Sequence, residues 1–136
     1  MILILSTYPD RGTAAKTALM LVQKELAACT SMIKIEDSVY RWKGKIETAQ
    51  EYLLLIKTSK KAYPAVELFI KESHPHDVPE IVYFEVSGGQ KDYLEWVESN
   101  ALPKLLRVPL DLTAMKRASD PSSELIKARK PKTLSK

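Results

Sequence analysis

The chain is poor in the residues that build covalent or cofactor chemistry. It has one cysteine, Cys29, and only two histidines, His74 and His76, among 136 residues. A single cysteine excludes an intrachain disulfide, which suits a reducing compartment. Glycines number four, and none forms a GxGxxG or P-loop pattern, so a phosphate-cradling loop is excluded. No hydrophobic run is long enough to cross a membrane. Met1-Ile2-Leu3-Ile4-Leu5 is apolar, yet it is too short for a signal-peptide core and lacks a basic leader. These absences together predict a cytoplasmic protein that does not engage a membrane.

The charge is unevenly placed. From Lys104 onward nine Lys/Arg stand against three Asp/Glu, a net of +6, whereas residues 1–103 carry twelve against fourteen, a net of −2. The basic pI belongs to the tail, so bulk charge gives no case for nucleic-acid binding by the folded part. The tail is more simply a solubilising extension, and an acidic protein partner is its minority use. The expected division is a folded unit over 1–103 and a largely flexible basic extension over 104–136, with a short edge strand at Leu105 to Leu110.

What is present organises around a long hairpin, Val39 to Thr58. Lys43-Gly44-Lys45 is its reversal, since Gly44 tolerates the positive φ of a tight turn. The return strand ends in Tyr52-Leu53-Leu54-Leu55-Ile56, where alternation stops and both faces look buried. Ile2 to Tyr8 is a first strand, also apolar on both faces. Thr13 is the expected N-cap of a helix whose stripe is Ala15, Ala18, Leu19, Val22 and Leu26. Cys29 to Ile35 starts a second strand that Glu36-Asp37-Ser38 bends. Another helix lies between Ser59 and Ser73, with Val66, Phe69 and Ile70 inward and Pro64 in its first turn. His74-Pro75 stops it. Ile81 to Val86 is a fourth strand, and a short final helix turns Tyr93, Trp96 and Val97 inward.

The order βαββαβ plus a terminal helix predicts an α+β, ferredoxin-like sandwich with a long central hairpin. Two main helices can cover one sheet face only. The other face would exceed the apolar patch of a soluble monomer, so a trimer is expected. The fold hosts many functions, and function must come from sites. The third strand lacks the aromatic pattern of RNA-recognition modules, and no Ser-His-Asp set is present. The chain therefore reads as a binding or regulatory protein and not as an enzyme.

Five segments carry a family resemblance: Glu25-Leu26-Ala27-Ala28-Cys29, Tyr40-Arg41-Trp42-Lys43-Gly44-Lys45-Ile46, Leu54-Leu55-Ile56-Lys57-Thr58, His74-Pro75-His76-Asp77-Val78-Pro79-Glu80-Ile81 and Tyr93-Leu94-Glu95-Trp96. In this order the first 98 or so residues resemble the CutA divalent-cation tolerance family. The resemblance implies a ferredoxin-like fold, a tight homotrimer and a link to copper and other divalent ions. The chain departs from the family at His76, where tyrosine is usual, and at Arg41, where an aromatic is frequent.

The residues give a metal reading of their own. Cys29 offers a soft sulfur, His74 and His76 offer imidazoles, and Asp77 and Glu80 offer carboxylates. Such a set suits Cu2+ foremost and Zn2+ next, over Mg2+ or Ca2+. Both helices are expected to run the same way relative to the sheet, which puts both helix-to-strand junctions at one end and lets Cys29 and His74 approach each other, within one subunit or across an interface. In an extended segment His74 and His76 would point apart unless Pro75 turns the chain. The competing reading makes Cys29 a small core hydrophobe and His74 a cap on helix carbonyls. Tyr40 and Trp42 read as subunit-contact anchors, and Lys43 and Lys45 as solvated charges. Lys57 either lies exposed at a strand end or meets an anion between subunits. A second function class stays open: a signalling trimer similar to PII proteins, holding a small molecule in inter-subunit clefts.

Overall fold

The structure is a computed structural model and describes residues 1–103. The expected tail, its edge strand and its flexibility lie outside the described residues. Four strands form one antiparallel sheet in the order β2-β3-β1-β4: β1 (Ile2–Tyr8), β2 (Cys29–Trp42), β3 (Lys45–Thr58) and β4 (Val82–Glu85). Helices α1 (Arg11–Gln23), α2 (Tyr63–Ser73) and α3 (Lys91–Asn100) complete the unit, with a 3-10 turn at Lys60–Ala62 leading into α2. This is the ferredoxin-like arrangement.

Strand β1 is central. It pairs with β3 from Ile2↔Thr58 to Tyr8↔Tyr52 and with β4 from Ile2↔Glu85 to Leu5↔Val82. Cross-strand partners share a face. One face therefore gathers Ile2, Ile4, Ser6 and Tyr8 with Thr58, Ile56 and Leu54, and all of these are buried. Ala14 and Leu21 of α1 and Val66 and Ile70 of α2 belong to the same core. The opposite face carries Leu3, Leu5, Thr7, Leu53, Leu55 and Lys57, which are only half-buried. The lack of alternation in β1 and β3 thus reflects a sheet that is apolar on both sides and covered well on one.

The hairpin reaches beyond the rest of the sheet. Pairing of β3 with β1 ends at Tyr52, so Lys45 to Glu51 pair with β2 alone. Trp42↔Lys45 closes a two-residue turn in which Lys43 (φ 49°) and Gly44 (φ 77°) are both left-handed, the geometry that matches strand twist. The register shifts between Ile35 and Ser38, where Glu36-Asp37-Ser38 was expected to bend the strand.

Three expectations change. Asp10, not Thr13, caps α1: its Oδ1 accepts from the Thr13 backbone N–H at 2.7 Å. The buried face of α1 is Ala14, Thr17 and Leu21, whereas Leu19 is 58% exposed and Val22 40%. Thr17 can sit inside because its hydroxyl donates to the Thr13 carbonyl at 2.9 Å. The helix also ends sooner than expected, as Glu25 takes a left-handed φ of 59° and Leu26 and Ala27 bond back to the Leu21 carbonyl.

The fourth strand is shorter than expected, and the last helix also differs. All four β4 residues are exposed at the edge of the sheet, where Tyr83 packs on Tyr63 of α2 with ring centroids 4.4 Å apart. On α3 only Val97 is buried; Tyr93 and Trp96 face outward and stack on each other with centroids 5.9 Å apart. The helix is held instead at its C-terminal end. The Met1 ammonium pairs with Glu98 at 2.6 Å, and the buried Ser59 hydroxyl donates to the Ala101 carbonyl at 2.6 Å.

The capping assignment has a direct test. Asp10→Ala should destabilise the fold by about 1 kcal/mol, read as a fall of several degrees in Tm by circular dichroism. Thr13→Ala should cost less: it removes the hydroxyl that donates to Asp10 Oδ2 at 2.9 Å but keeps the capped backbone N–H.

Candidate functional site

The segment His74 to Glu80 joins α2 to β4, and its geometry starts with Pro75. A residue before proline avoids helical angles, and His74 takes φ −72° and ψ 140°. Its backbone N–H still reaches the Ile70 carbonyl at 2.8 Å, closing the last helical turn. The chain bend turns the side chain inward, so His74 is only 6% exposed. Its ring packs against Tyr8 with centroids 4.5 Å apart.

Both ring nitrogens are engaged. Nε2 lies 2.7 Å from the Thr7 carbonyl oxygen, and Nδ1 lies 3.0 Å from the His76 backbone nitrogen. A carbonyl only accepts and a backbone N–H only donates. The proton therefore sits on Nε2, Nδ1 accepts, and the imidazole is neutral. Burial lowers its pKa below the ordinary 6.5; the Thr7 carbonyl opposes that shift, and the nearby His76 adds to it. A metal ion would have to break one of these two bonds to gain a lone pair.

The rings of His74 and His76 do come together, with centroids 5.2 Å apart, because Pro75 turns the chain. Asp77 and Glu80 are exposed on the same loop. Cys29 lies elsewhere. It pairs with Lys57 in β3, while His74 holds Thr7, whose β3 partner is Leu53. Four residues along a strand amount to about 13 Å. The premise that both helix-to-strand junctions share one end is incorrect. In this fully antiparallel sheet α1 runs from the Tyr8 end to the Ile2 end, and α2 runs back. Cys29 and His74 therefore stand at opposite ends of one chain. Among the described residues no group of three or more His, Cys, Asp or Glu is placed to hold a metal ion. Cys29, His74, His76, Asp77 and Glu80 are not gathered into one set within a single chain.

Cys29 has different company. It is half-buried at the start of β2, on the sheet face away from the main core. The Lys57 ammonium lies 3.6 Å from its Sγ and 2.8 Å from the Ser31 Oγ. Ser31 was not marked as a site residue by its sequence context. Its place two residues from Cys29 puts both on one face, but only the strand register brings Lys57 to them. Thr7 and Tyr8, which fix the His74 ring, were missed for the same reason.

A family model described as CutA1 divalent ion tolerance protein matches residues 2–100. The chain belongs to the CutA family. It is 39% identical over 97 residues to a divalent-cation tolerance protein CutA of Thermus thermophilus, covering 71% of this chain and 94% of that one. The solved Thermus structure superposes with a TM-score of 0.71 and 39% identity over 74% of this chain and 98% of the other. The chloroplastic CutA of Arabidopsis thaliana is 35% identical over 99 residues, 73% of this chain and 54% of that one. A structure from Archaeoglobus fulgidus, described as a periplasmic divalent cation tolerance protein, matches at TM-score 0.71 and 31% identity over 74% of this chain and 99% of that one.

These relatives overturn the expected cytoplasmic location. CutA proteins this similar are described as periplasmic and chloroplastic, so a lone cysteine and an apolar but short N-terminal run do not place a CutA chain in the cytoplasm. The family is one of divalent-cation tolerance. No helix among the described residues is long and apolar enough to cross a membrane.

The His74 environment predicts a pH dependence. The folded pKa lies below the unfolded value, so the unfolded chain binds the extra proton first. The stability this group contributes is present above about pH 6.5 and is lost as pH falls through the unfolded and then the folded pKa. Denaturant midpoints between pH 7.5 and 5 should fall for the native chain, and His74→Gln should flatten that slope. An unchanged slope would show that other groups set it.

Proposed function

We propose that this CutA chain acts in divalent-ion tolerance as a homotrimer, and that a transition-metal ion is bound between copies and not within one. The observation that carries this reading is the second sheet face. Leu3, Leu5, Leu53 and Leu55 lie half-exposed on it beside Ile33, Val82 and Phe84, and among the described residues no helix covers them as α1 and α2 cover the main core. A patch of this kind favours association. The hairpin beyond Tyr52 adds an unpaired strand edge and the exposed Val39, Trp42 and Ile46. Three copies would pair those edges and close the apolar faces on one another.

In a single chain the donors do not fit a resident ion, as the separation of Cys29 and the engaged nitrogens of His74 make plain. We therefore assign the ligands from each copy to the exposed loop, with His76, Asp77 and Glu80 as the available nitrogen and oxygen donors. A mixed imidazole and carboxylate set follows the general order that places Cu2+ above Zn2+.

Light scattering at low micromolar concentration should give the mass of three chains, and a monomer would remove the basis for shared sites. Calorimetric titration should show Cu2+ binding more tightly than Zn2+. His76→Ala should weaken Cu2+ by about tenfold or more, a scale that loss of even a supporting contact can produce. Cys29→Ala should leave the affinity unchanged. Binding should weaken as the solution is acidified, because protons compete with the metal ion for the ligand lone pairs. Equal Cu2+ affinity in wild type and His76→Ala would remove the loop from the site.

A further inference from the structure

Helices α1 and α2 bury their inner sides in the main core, and a groove of about 460 Å3 lies between them. On α1 its walls are Asp10, Thr13, Lys16 and Met20, which follow one another at helical spacing, and on α2 they include Phe69 and Ser73. Met20 and Phe69 are half-buried and give the groove an apolar floor. Charges of both signs stand above it. Asp10 and Lys16 take part in none of the ion pairs among the described residues, with each other or with any other group. The Asp10 carboxylate accepts the Thr13 backbone N–H on Oδ1 at 2.7 Å and the Thr13 hydroxyl on Oδ2 at 2.9 Å, which leaves each oxygen a further lone pair. Thr13 spends its hydroxyl proton there, and Ser73 spends its own on the Phe69 carbonyl at 2.7 Å. Both hydroxyls therefore offer only lone pairs to a ligand, whereas the Lys16 ammonium offers only donors.

We propose that this groove binds a free α-amino acid with an aromatic side chain. The charge pattern selects the class. A ligand ammonium matches Asp10 and the accepting hydroxyls, and a ligand carboxylate matches Lys16. An anion alone, phosphate included, would face Asp10, whose carboxylate already takes the positive end of α1. An amine alone would leave Lys16 unmatched. Lys16 stands less than two turns beyond Asp10, a rise of about 9 Å. Helical side chains lean toward the N-terminus, so the lysine reaches back along this rise and a short zwitterion spans the rest. The floor selects the side chain. A ring laid on Met20 and Phe69 gains sulfur–aromatic and aromatic–aromatic contacts. Lys24 is held 5.9 Å from the Phe69 centroid and is not part of the groove wall, so it does not upset the balance of one charge of each sign. The volume falls in the range of about 300–1,000 Å3 usual for small-molecule sites. The groove belongs to the helical layer, and the sheet separates it from the face that the proposed assembly closes, so covering that face does not fill it.

The test uses the full chain in its native assembly, in metal-free buffer, followed by calorimetry and by amide NMR shifts. The probes are L-phenylalanine, phenethylamine (which lacks the carboxylate), 3-phenylpropionate (which lacks the ammonium) and glycine (which lacks the ring). L-phenylalanine should bind saturably in the millimolar range and shift Thr13, Lys16 and Ser73. Phenethylamine and 3-phenylpropionate should each bind about tenfold more weakly, the scale of one charged hydrogen bond, and glycine not measurably. Lys16→Met should weaken L-phenylalanine about tenfold and leave phenethylamine unchanged. Asp10→Asn, which keeps a capping side chain, should weaken L-phenylalanine about tenfold and leave 3-phenylpropionate unchanged. This crossed pattern separates lost recognition from a fold defect, which would weaken every probe alike. Equal binding of L-phenylalanine and phenethylamine would overturn the proposal and leave a plain amine site. L-phenylalanine binding that survives either substitution would overturn it, as would a uniform loss across the aromatic probes or no saturable binding to wild type.

Discussion

The in-register pairing of β1 with β3 is the constraint on which the rest of the structure depends. Ile2↔Thr58, Ile4↔Ile56 and Ser6↔Leu54 set seven buried side chains, counting Tyr8, toward α1 and α2. A shift of one residue would turn this set outward and bring Leu3, Leu5, Leu53 and Leu55 in. Because those residues are also apolar, hydrophobicity alone discriminates weakly between the two registers. The polar members do more. Thr58 faces the core and donates to the Leu26 carbonyl at 2.7 Å, and Thr7 faces the other way and offers its carbonyl to His74. Each bond exists in one register only.

That same pairing decides which chemistry can be shared within a chain. An antiparallel β3 sends α2 back along the sheet, opposite to α1. Cys29 then falls in the row of Leu3 and Lys57, while His74 falls beside Thr7 and Tyr8. The contrast between the two junctions is chemical as well as spatial. At one, a neutral histidine has spent both nitrogens on the backbone. At the other, a charged lysine rests on neutral partners.

Much of the fold was legible because its signals are local. The Lys43-Gly44 turn needs a left-handed pair, the Glu36 to Ser38 bend interrupts an alternation, and Pro75 ends a helix at the residue before it. Side chains whose placement depends on a distant neighbour were not legible. Helix α1 has Ala14, Ala15, Ala18, Leu19, Leu21 and Val22 around most of its circumference, so periodicity does not choose a face. Packing against β1 and β3 chooses it, and Leu19 and Val22 are left outside. Tyr93 and Trp96 mislead similarly: their helix is fixed through Met1 and Ser59, contacts far apart in sequence. In the candidate site, the five donor residues could be named from type and spacing. Their separation followed from strand direction, which no residue type records.

The unfinished features of the chain have a common physical origin. A domain of this size can afford a sheet that is apolar on both sides only if a second body covers the side its own helices leave open. Among the described residues, strand β4 is exposed throughout, the hairpin has an edge without a partner, and Lys57 has no carboxylate in an ion pair. Each would be a cost in an isolated chain, through exposed apolar area, open N–H and C=O groups or an unmatched ammonium. Packing copies together removes the first two costs directly. The third is removed only by a negative charge, which apolar contact does not supply but a carboxylate of a neighbouring copy does, so polar pairing and apolar burial between copies answer different parts of the same open face.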